Sequence, residues 1–407
     1  MKILKGKYNS AKVFTDNIEE TASSQIIKLL DQDFVEGAKV RIMPDTHAGA
    51  GCVIGFTADL GNKVIPNLVG VDLGCGMELV SLGRPEFELS DLDNIIHRSV
   101  PSGHNIHENP VSKLDELTEL FCYDELRNQV KFNRAIGSLG GGNHFIELNL
   151  DNRKNKYLVI HSGSRNLGKQ VAEYYQALAV ESCKGLANIN LVKEETIFEL
   201  KLLGRQHLIS KKLKEIDEYY SEHQPEYPKE LCFLQGDLRN DYLHDMEICQ
   251  RYATLNRETM ANIILLNLLD SELSDYEHFE TIHNYINFED NIIRKGAVSA
   301  KEGESLIIPI NMRDGSILAV GKGNEDWNNS APHGAGRLMG RMEAKRRLSM
   351  SEYTEQMEGI FTTTANESTL DEAPMAYKPM QEILDNIQDT VDVIDIIKPI
   401  YNYKSAE

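Results

Sequence analysis

The sequence predicts an α+β fold of mixed sheets with a mainly helical insert. Short runs of Val, Ile and Leu punctuated by glycine recur from Gly49 to Gly83 and again between Leu306 and Val320, the pattern of short strands joined by tight turns. Segments with helical spacing lie between them, without the regular strand–helix alternation that builds a doubly wound sheet. The chain has 407 residues, 41% hydrophobic and 26% charged, which is ordinary for a globular protein and long enough for a large single domain or two fused lobes.

Taken in order, the N-terminal region offers a helix near Ser23–Asp31 and a strand Val40–Met43 that runs into a Pro-Asp-Thr-His turn. Leu89–His97 and Ser112–Phe132 carry a helical pattern rich in acidic groups. Gly137–Gly142 is a glycine loop leading into the strand His144–Leu148. The apolar run Tyr157–His161 is a buried strand, and a helix over Leu167–Ala187 follows it. Residues 190–280 place Ile248, Tyr252, Leu255 and Met260 at helical spacing and read as a mainly helical insert. Strands return at Leu306–Ile310 and Ser316–Val320, then a basic helix over Gly334–Met350 and a last helix near Met380–Ile397.

Composition narrows the function classes. No run of eighteen apolar residues exists, so no transmembrane helix is expected. The first residues, Met1-Lys2-Ile3-Leu4-Lys5, lead into polar sequence rather than the apolar core of a secretory signal. Six cysteines are scattered without CxxC spacing and read as reduced thiols of a cytoplasmic protein. The net charge of −20 argues against a general nucleic-acid coat and requires any polyanion site to be a local basic cleft.

Chemistry concentrates in loops. Val71-Asp72-Leu73-Gly74-Cys75-Gly76-Met77 sets a carboxylate and a thiol three residues apart in a glycine-rich turn. A thiolate beside a carboxylate is unfavourable without a cation, and a metal removes that cost. His144 in GGGNHFIE, His161 in HSGSR and His283 in HNY complete a set of thiolate, carboxylate and imidazole that suits Mn, Fe, Co or Zn better than Mg or Ca. Each residue alone has a plainer reading: a turn aspartate, a buried cysteine, a core histidine. Together they favour a metal site built on loops. His333 in PHGAGR stands where a small-residue loop opens the expected basic helix, with Arg337, Arg341 and Lys345 at helical spacing. That setting suits a phosphate cradle beside an imidazole nucleophile, or simply a helix cap with a solvated basic face. The glycine loop at 137–142 is neither a Walker motif nor a dinucleotide fingerprint.

With these residues assembled, the chain resembles the RtcB family of RNA ligases. The motifs that carry the resemblance are MPDTHAG at 43–49, VGVDLGCGM at 69–77, GGGNHFIE at 140–147, HSGSR at 161–165, HNY at 283–285, RKGAVSA at 294–300, HGAGR at 333–337 and PMAYK at 374–378. They span nearly the whole chain in family order. The resemblance implies one large domain over residues 1–407, with mixed sheets around a central metal cleft and the helical insert at 190–280 inside it. It implies an enzyme that uses GTP and two Mn²⁺ ions. RNA ends bearing a 2′,3′-cyclic phosphate or 3′-phosphate would be joined to 5′-hydroxyl ends, in RNA repair or tRNA splicing, with no membrane and with room for an accessory protein.

Carried over by motif, Cys75 bridges the two metals and Asp72, His144, His161 and His283 complete their shells. His333 attacks the α-phosphorus of GTP to form a histidine–GMP intermediate, and GMP then passes to the RNA 3′-phosphate. The nucleotide contacts implied are Asn143, Glu147, Asn284, Pro309, Asn311, Met312, Ser316, Gly334, Ala335, Gly336 and Lys404. The RNA-phosphate contacts implied are Arg165, Lys295, Arg337 and Arg341. Asp389–Ile394 matches the family's last helix. The main departure is Ile308-Pro309-Ile310-Asn311-Met312-Arg313, where the family usually shows IPGSMG. Two alternatives are a metal-dependent phosphohydrolase and a catalytically silent RNA-binding homologue. The first would dispense with the arginines and the second with His333 or Cys75, and all of these are present.

Overall fold

Two large sheets are linked through the segment around His283, and the loops near that link carry the chemistry. The computed structural model describes residues 1–184, 189–222 and 225–405. A six-stranded sheet runs in the order Lys2–Lys5, Ser10–Val13, Val40–His47, Ile54–Ala58, Ile293–Lys295, Asn284–Ile286. A seven-stranded antiparallel sheet runs Glu277–Ile282, Gly76–Gly83, Lys156–Ser162, Phe145–Leu150, Val391–Lys404, Gly315–Gly321, Ser305–Asn311. His283 lies between the last residue of a strand in one sheet and the first residue of a strand in the other. The α+β class is therefore as expected.

Register explains why distant motifs meet. In the seven-stranded sheet, Met77 pairs with His161, His161 with Phe145, and Phe145 with Lys404. That row brings Cys75, His144, His161 and Lys404 to one end of the sheet, although they span most of the sequence.

The helix Asp237–Leu269 braces both sheets. Its Tyr242, Met246, Ile248, Cys249 and Tyr252 are fully buried in one apolar cluster with the Val40–His47 sheet. Its Met260, Ala261, Ile264 and Leu265 enter a second cluster with Val80, Ile146 and Ile160 of the other sheet. Burial of this kind stabilises by about 2 kcal/mol for each large side chain. Within the 190–280 segment, helices Ile189–Leu202 and Ile209–Glu222 pack on one another, whereas Asp237–Leu269 runs through the core. Among the described residues no helix is long and apolar enough to cross a membrane.

Several elements differ from expectation for identifiable reasons. The segment 112–132 forms short 3₁₀ turns at Asp115–Glu119, Tyr123–Glu125 and Gln129–Lys131, not a helix. Its backbone N–H groups are claimed by other elements. Asp245 accepts from Phe121 and Cys122 at 2.9 and 3.1 Å, and Asn133 accepts from Leu114 at 3.0 Å. The strand Val40–His47 continues through Pro44-Asp45-Thr46-His47 instead of turning there. The basic helix is confined to Arg341–Arg347, with Met350–Gln356 after it. Gly336 sits at φ +74° and the backbone there pairs with 376–378, through Lys378 N to Gly336 O at 3.0 Å and Leu338 N to Ala376 O at 2.8 Å. The last helix spans only Met380–Ile387, and Val391–Lys404 is a strand held on both sides by sheet neighbours. Helix Arg165–Cys183 is described up to its end, and Ala187 lies outside the described residues.

Candidate metal centre and nucleophile

Five side chains from four loop or strand ends converge at the sheet junction. Cys75 Sγ lies 3.5 Å from His144 Nε2 and 3.4 Å from His161 Nε2. His161 Nε2 is 3.4 Å from His283 Nε2, and His144 Nε2 is 3.0 Å from Asp72 Oδ2. The donor atoms fall into two triads, Cys75–His161–His283 and Asp72–Cys75–His144, each within 4.8 Å, and Cys75 belongs to both.

The tautomers suit ligation. His144 Nδ1 donates to Leu139 O at 2.8 Å and His161 Nδ1 donates to Asn143 O at 3.2 Å, because a carbonyl can only accept. Each Nε2 is thereby left with its lone pair facing the cluster. Burial, then the neighbouring imidazoles, hold His161 and His283 well below the ordinary imidazole range, so both are neutral. Burial and then Asp72 push the Cys75 thiol well above its usual value. Burial also works to raise Asp72, but its contacts with the His144 ring and with Cys75, and the Arg165 guanidinium, outweigh it and hold the carboxyl low. A thiol, a carboxylate and imidazoles packed this closely fit a divalent transition metal, which would stabilise the thiolate that burial beside Asp72 disfavours. Gly163 explains one close approach: a Cβ there would stand 2.3 Å from Asp72 Oδ1.

His333 faces this cluster, its ring 4.8 Å from that of His283 between centroids. It follows the strand Ser330–Pro332, which pairs with Ala297–Ser299. Its Nδ1 meets Asp45 Oδ2 at 2.6 Å, and Asp45 is fully buried. A Cβ on Gly336 would lie 2.2 Å from Asp45 O, so the HGAGR turn and the Val40–His47 strand are matched surfaces.

A cavity of about 280 Å³ opens from the metal ligands past His333. Asn143, Glu147, Asn284, Pro309, Asn311, Met312, Gly334, Ala335, Gly336 and Lys404 all line it, as do Arg337 and Arg341. Burial raises the Glu147 carboxyl to about 7, against hydrogen bonds from Asn402 and Asn149 that favour its ionised form. At the far wall, buried Glu372 receives Lys404 at 2.8 Å, Arg341 at 2.7 Å and Arg337 at 3.1 Å. Burial acts to raise Glu372, but those three cations hold it down at about 2.

Not every expected residue reaches the cavity. Ser316 is fully buried with its hydroxyl unpartnered, outside the lining. Asn311 lines it but turns its side chain inward, capping its own turn through Asp314 at 2.8 Å. Lys295 is 2% exposed, with Nζ spent on the carbonyls of Ala50, Cys52 (3.1 Å) and Asn67 (2.8 Å). Burial lowers it to about 8, and that ammonium pins the 50–67 loop rather than meeting RNA. Arg165 holds a left-handed backbone at φ +57° and faces a separate cavity with Lys131, Arg134 and Lys169. Asp45, Glu372, Tyr377 and Asn402 were not singled out by sequence reasoning; Asp45 and Tyr377 fall inside quoted motifs, while Glu372 and Asn402 carried no signal.

The family model described as tRNA-splicing ligase RtcB matches residues 25–131 and 123–405. The RNA-splicing ligase RtcB of Escherichia coli K12 is 29% identical, with 94% of each chain covered. The tRNA-splicing ligase RtcB of Nanoarchaeum equitans is 27% identical over 84% of this chain and 83% of its own. That of Archaeoglobus fulgidus is 25% identical over 89% of each. The paired triads, the buried carboxylate behind His333 and this match along the chain agree: the chain belongs to the RtcB family.

Proposed function

We propose that this chain is a GTP-dependent RNA ligase joining 3′-phosphate or 2′,3′-cyclic-phosphate ends to 5′-hydroxyl ends, with two Mn²⁺ ions held by the paired triads. The observation that carries the reading is the Asp45–His333 pair at 2.6 Å opening onto both triads. Asp45 takes the Nδ1–H and leaves the Nε2 lone pair free for phosphorus. Bound metal ions supply charge neutralisation on phosphate oxygens and lower the pKa of an attacking hydroxyl.

In this reading His333 Nε2 attacks the α-phosphorus of GTP, a P–N bond forms, and pyrophosphate leaves with the broken P–O bond. A 3′-phosphate oxygen of RNA, from a cyclic end once water has added to phosphorus and the P–O2′ bond has broken to leave a 2′-hydroxyl, then displaces His333 and carries GMP. The 5′-hydroxyl attacks the RNA phosphorus, loses its proton, and GMP departs. Capping is needed because a bare 3′-phosphate has no adequate leaving group. Glu147, Asn402 and Lys404 line the cavity, and Glu147 would accept from the N–H groups of a guanine. Arg341 at the rim and Arg165 in the adjoining basic cavity are the RNA-phosphate contacts. Arg337, stacked over Tyr377 at 5.1 Å and tied to Glu372, orients the HGAGR turn. We read residues 1–407 as one ligase domain, with Ile189–Leu202 and Ile209–Glu222 as its helical insert.

The test is incubation with α-labelled GTP and Mn²⁺, followed by denaturing electrophoresis and peptide mapping. Label on His333, absent in His333→Ala, is the expected result. Label persisting in His333→Ala, or no label on folded, metal-loaded protein, overturns the assignment.

A further inference from the structure

The helix Asp237–Leu269 carries two neighbouring polar residues, Asn256 and Arg257, both with no solvent exposure. Neither lines the cavity, and the reaction above uses neither. Burying a guanidinium is costly, and an apolar residue of similar size is often as stable or more so. Arg257 Nε has no hydrogen-bond partner among the described residues, so the arrangement is not the best obtainable for stability alone. Its remaining contacts show a different logic.

Arg257 Nη1 donates to Gly74 O and Ser162 O, each at 2.9 Å. Gly74 precedes Cys75 and Ser162 follows His161. Arg257 Nη2 donates to Glu280 at 2.6 Å, on the strand that ends just before His283. One guanidinium thus touches the three segments that supply Cys75, His161 and His283.

Asn256 serves the other triad. Its Oδ1 accepts from Gly137 N at 2.8 Å and Ser138 N at 3.1 Å, where the glycine loop to His144 begins. Its Nδ2 donates to Ser162 Oγ and Gly163 O, both at 3.1 Å. Ser162 Oγ passes the link on to Leu139 O at 2.8 Å, the same carbonyl that receives His144 Nδ1. Gly163 abuts Asp72, whose Oδ1 accepts from Ser164 N at 3.1 Å.

We infer that Asn256 and Arg257 are positioning residues of the metal centre, a buried two-residue hub that sets the spacing of both triads from one rigid helix. The inference rests on the reading of the clustered donors as a metal centre. A planar fork that holds two carbonyls on Nη1 and a carboxylate on Nη2 fixes the spacing of three segments at once, which the single nitrogen of an ammonium cannot do. Outer partners of this kind commonly control metal affinity by about 10- to 100-fold.

The full-length chain is titrated with Co²⁺ and with Mn²⁺ as unmodified protein and as Arg257→Met, Arg257→Lys and Asn256→Leu, with circular dichroism and melting to verify folding. The unmodified chain is expected to show thiolate-to-cobalt charge-transfer absorbance. The variants are expected to bind Mn²⁺ about 10- to 100-fold more weakly, with that absorbance shifted or lost. Arg257→Lys is expected to recover melting temperature but not the cobalt spectrum, since it keeps the charge without the fork. Folded variants with unchanged Mn²⁺ affinity and an unchanged cobalt spectrum overturn the hub. Should Arg257→Met fail to fold, Arg257→Lys and Asn256→Leu decide the matter. An unmodified chain that shows no thiolate–cobalt absorbance sinks the metal-centre reading itself, a distinct failure.

Discussion

Asp45 decides which nitrogen of His333 can react. Its carboxylate fixes the ring and, in the proposed reaction, would balance the positive charge that forms when Nε2 bonds to phosphorus. Asp45→Asn is therefore expected to slow guanylylation about 100-fold or more, as loss of the orienting carboxylate does in serine hydrolases. The KM for GTP should stay close to native, and single-turnover labelling reads both effects. Glu147 gives a pH signature. Its folded value of about 7 lies above the ordinary 4.5, so between those limits the folded chain holds a proton that the unfolded chain has lost. Stability from this group is full below pH 4.5 and is lost as pH rises through 7, on the order of 3 kcal/mol. Glu147→Gln should melt progressively higher than the unmodified chain as pH goes from 5 to 8, and guanine-nucleotide binding by the unmodified chain should weaken below pH 7. The candidate metal ligands were legible in sequence because Asp72, Cys75, His144 and His161 sat in glycine-rich settings, with His283 in HNY added by its residue type. Lys295 misled, since a lysine beside Arg294 looks like a phosphate contact until its burial is known.

Short elements gain their shape here from what they are tied to. The 367–372 turn, the 334–341 loop and the final strand share one carboxylate, Glu372, through Arg337, Arg341 and Lys404. Glu372→Ala leaves three cations without their common partner in a largely buried wall. It is expected to destabilise by about 3 kcal/mol and to raise the KM for GTP, both readable by melting and steady-state kinetics. The same dependence explains where sequence reasoning failed. The 112–132 segment has helical spacing, yet Asp245 and Asn133 capture its N–H groups. The 334–350 stretch is basic and periodic, yet its first half pairs with 376–378. Such competition comes from residues far away in sequence and leaves no local pattern. By contrast, Leu89–Ser99 and Arg165–Cys183 bury their own apolar faces and were readable from periodicity.

A chain of net charge −20 that acts on a polyanion must concentrate its cations, and much of the local positive charge near the cleft is already neutralised by Asp371 and Glu372. Two phosphate contacts, Arg165 and Arg341, release few counterions. The logarithm of RNA affinity should therefore fall against the logarithm of salt with a slope of about −3 or shallower, measurable by fluorescence anisotropy; a slope much steeper would require a basic surface beyond Arg165 and Arg341. The α+β class was legible from the mixture of patterns, whereas the strand order was not, since pairings such as Phe145 with Lys404 join residues hundreds of positions apart. That pairing also governs timing. The strand Val391–Lys404 lies in the interior of the seven-stranded sheet, between Phe145–Leu150 and Gly315–Gly321. Synthesis proceeds from the N-terminus, so the sheet stays divided until these residues have been made, and Lys404 reaches the cavity only then. A ribosome-bound, unfinished chain can collect Asp72, Cys75, His144, His161 and His283 early, but its cavity lacks Lys404, so in the proposed reaction guanylylation would begin only once the sheet has been joined.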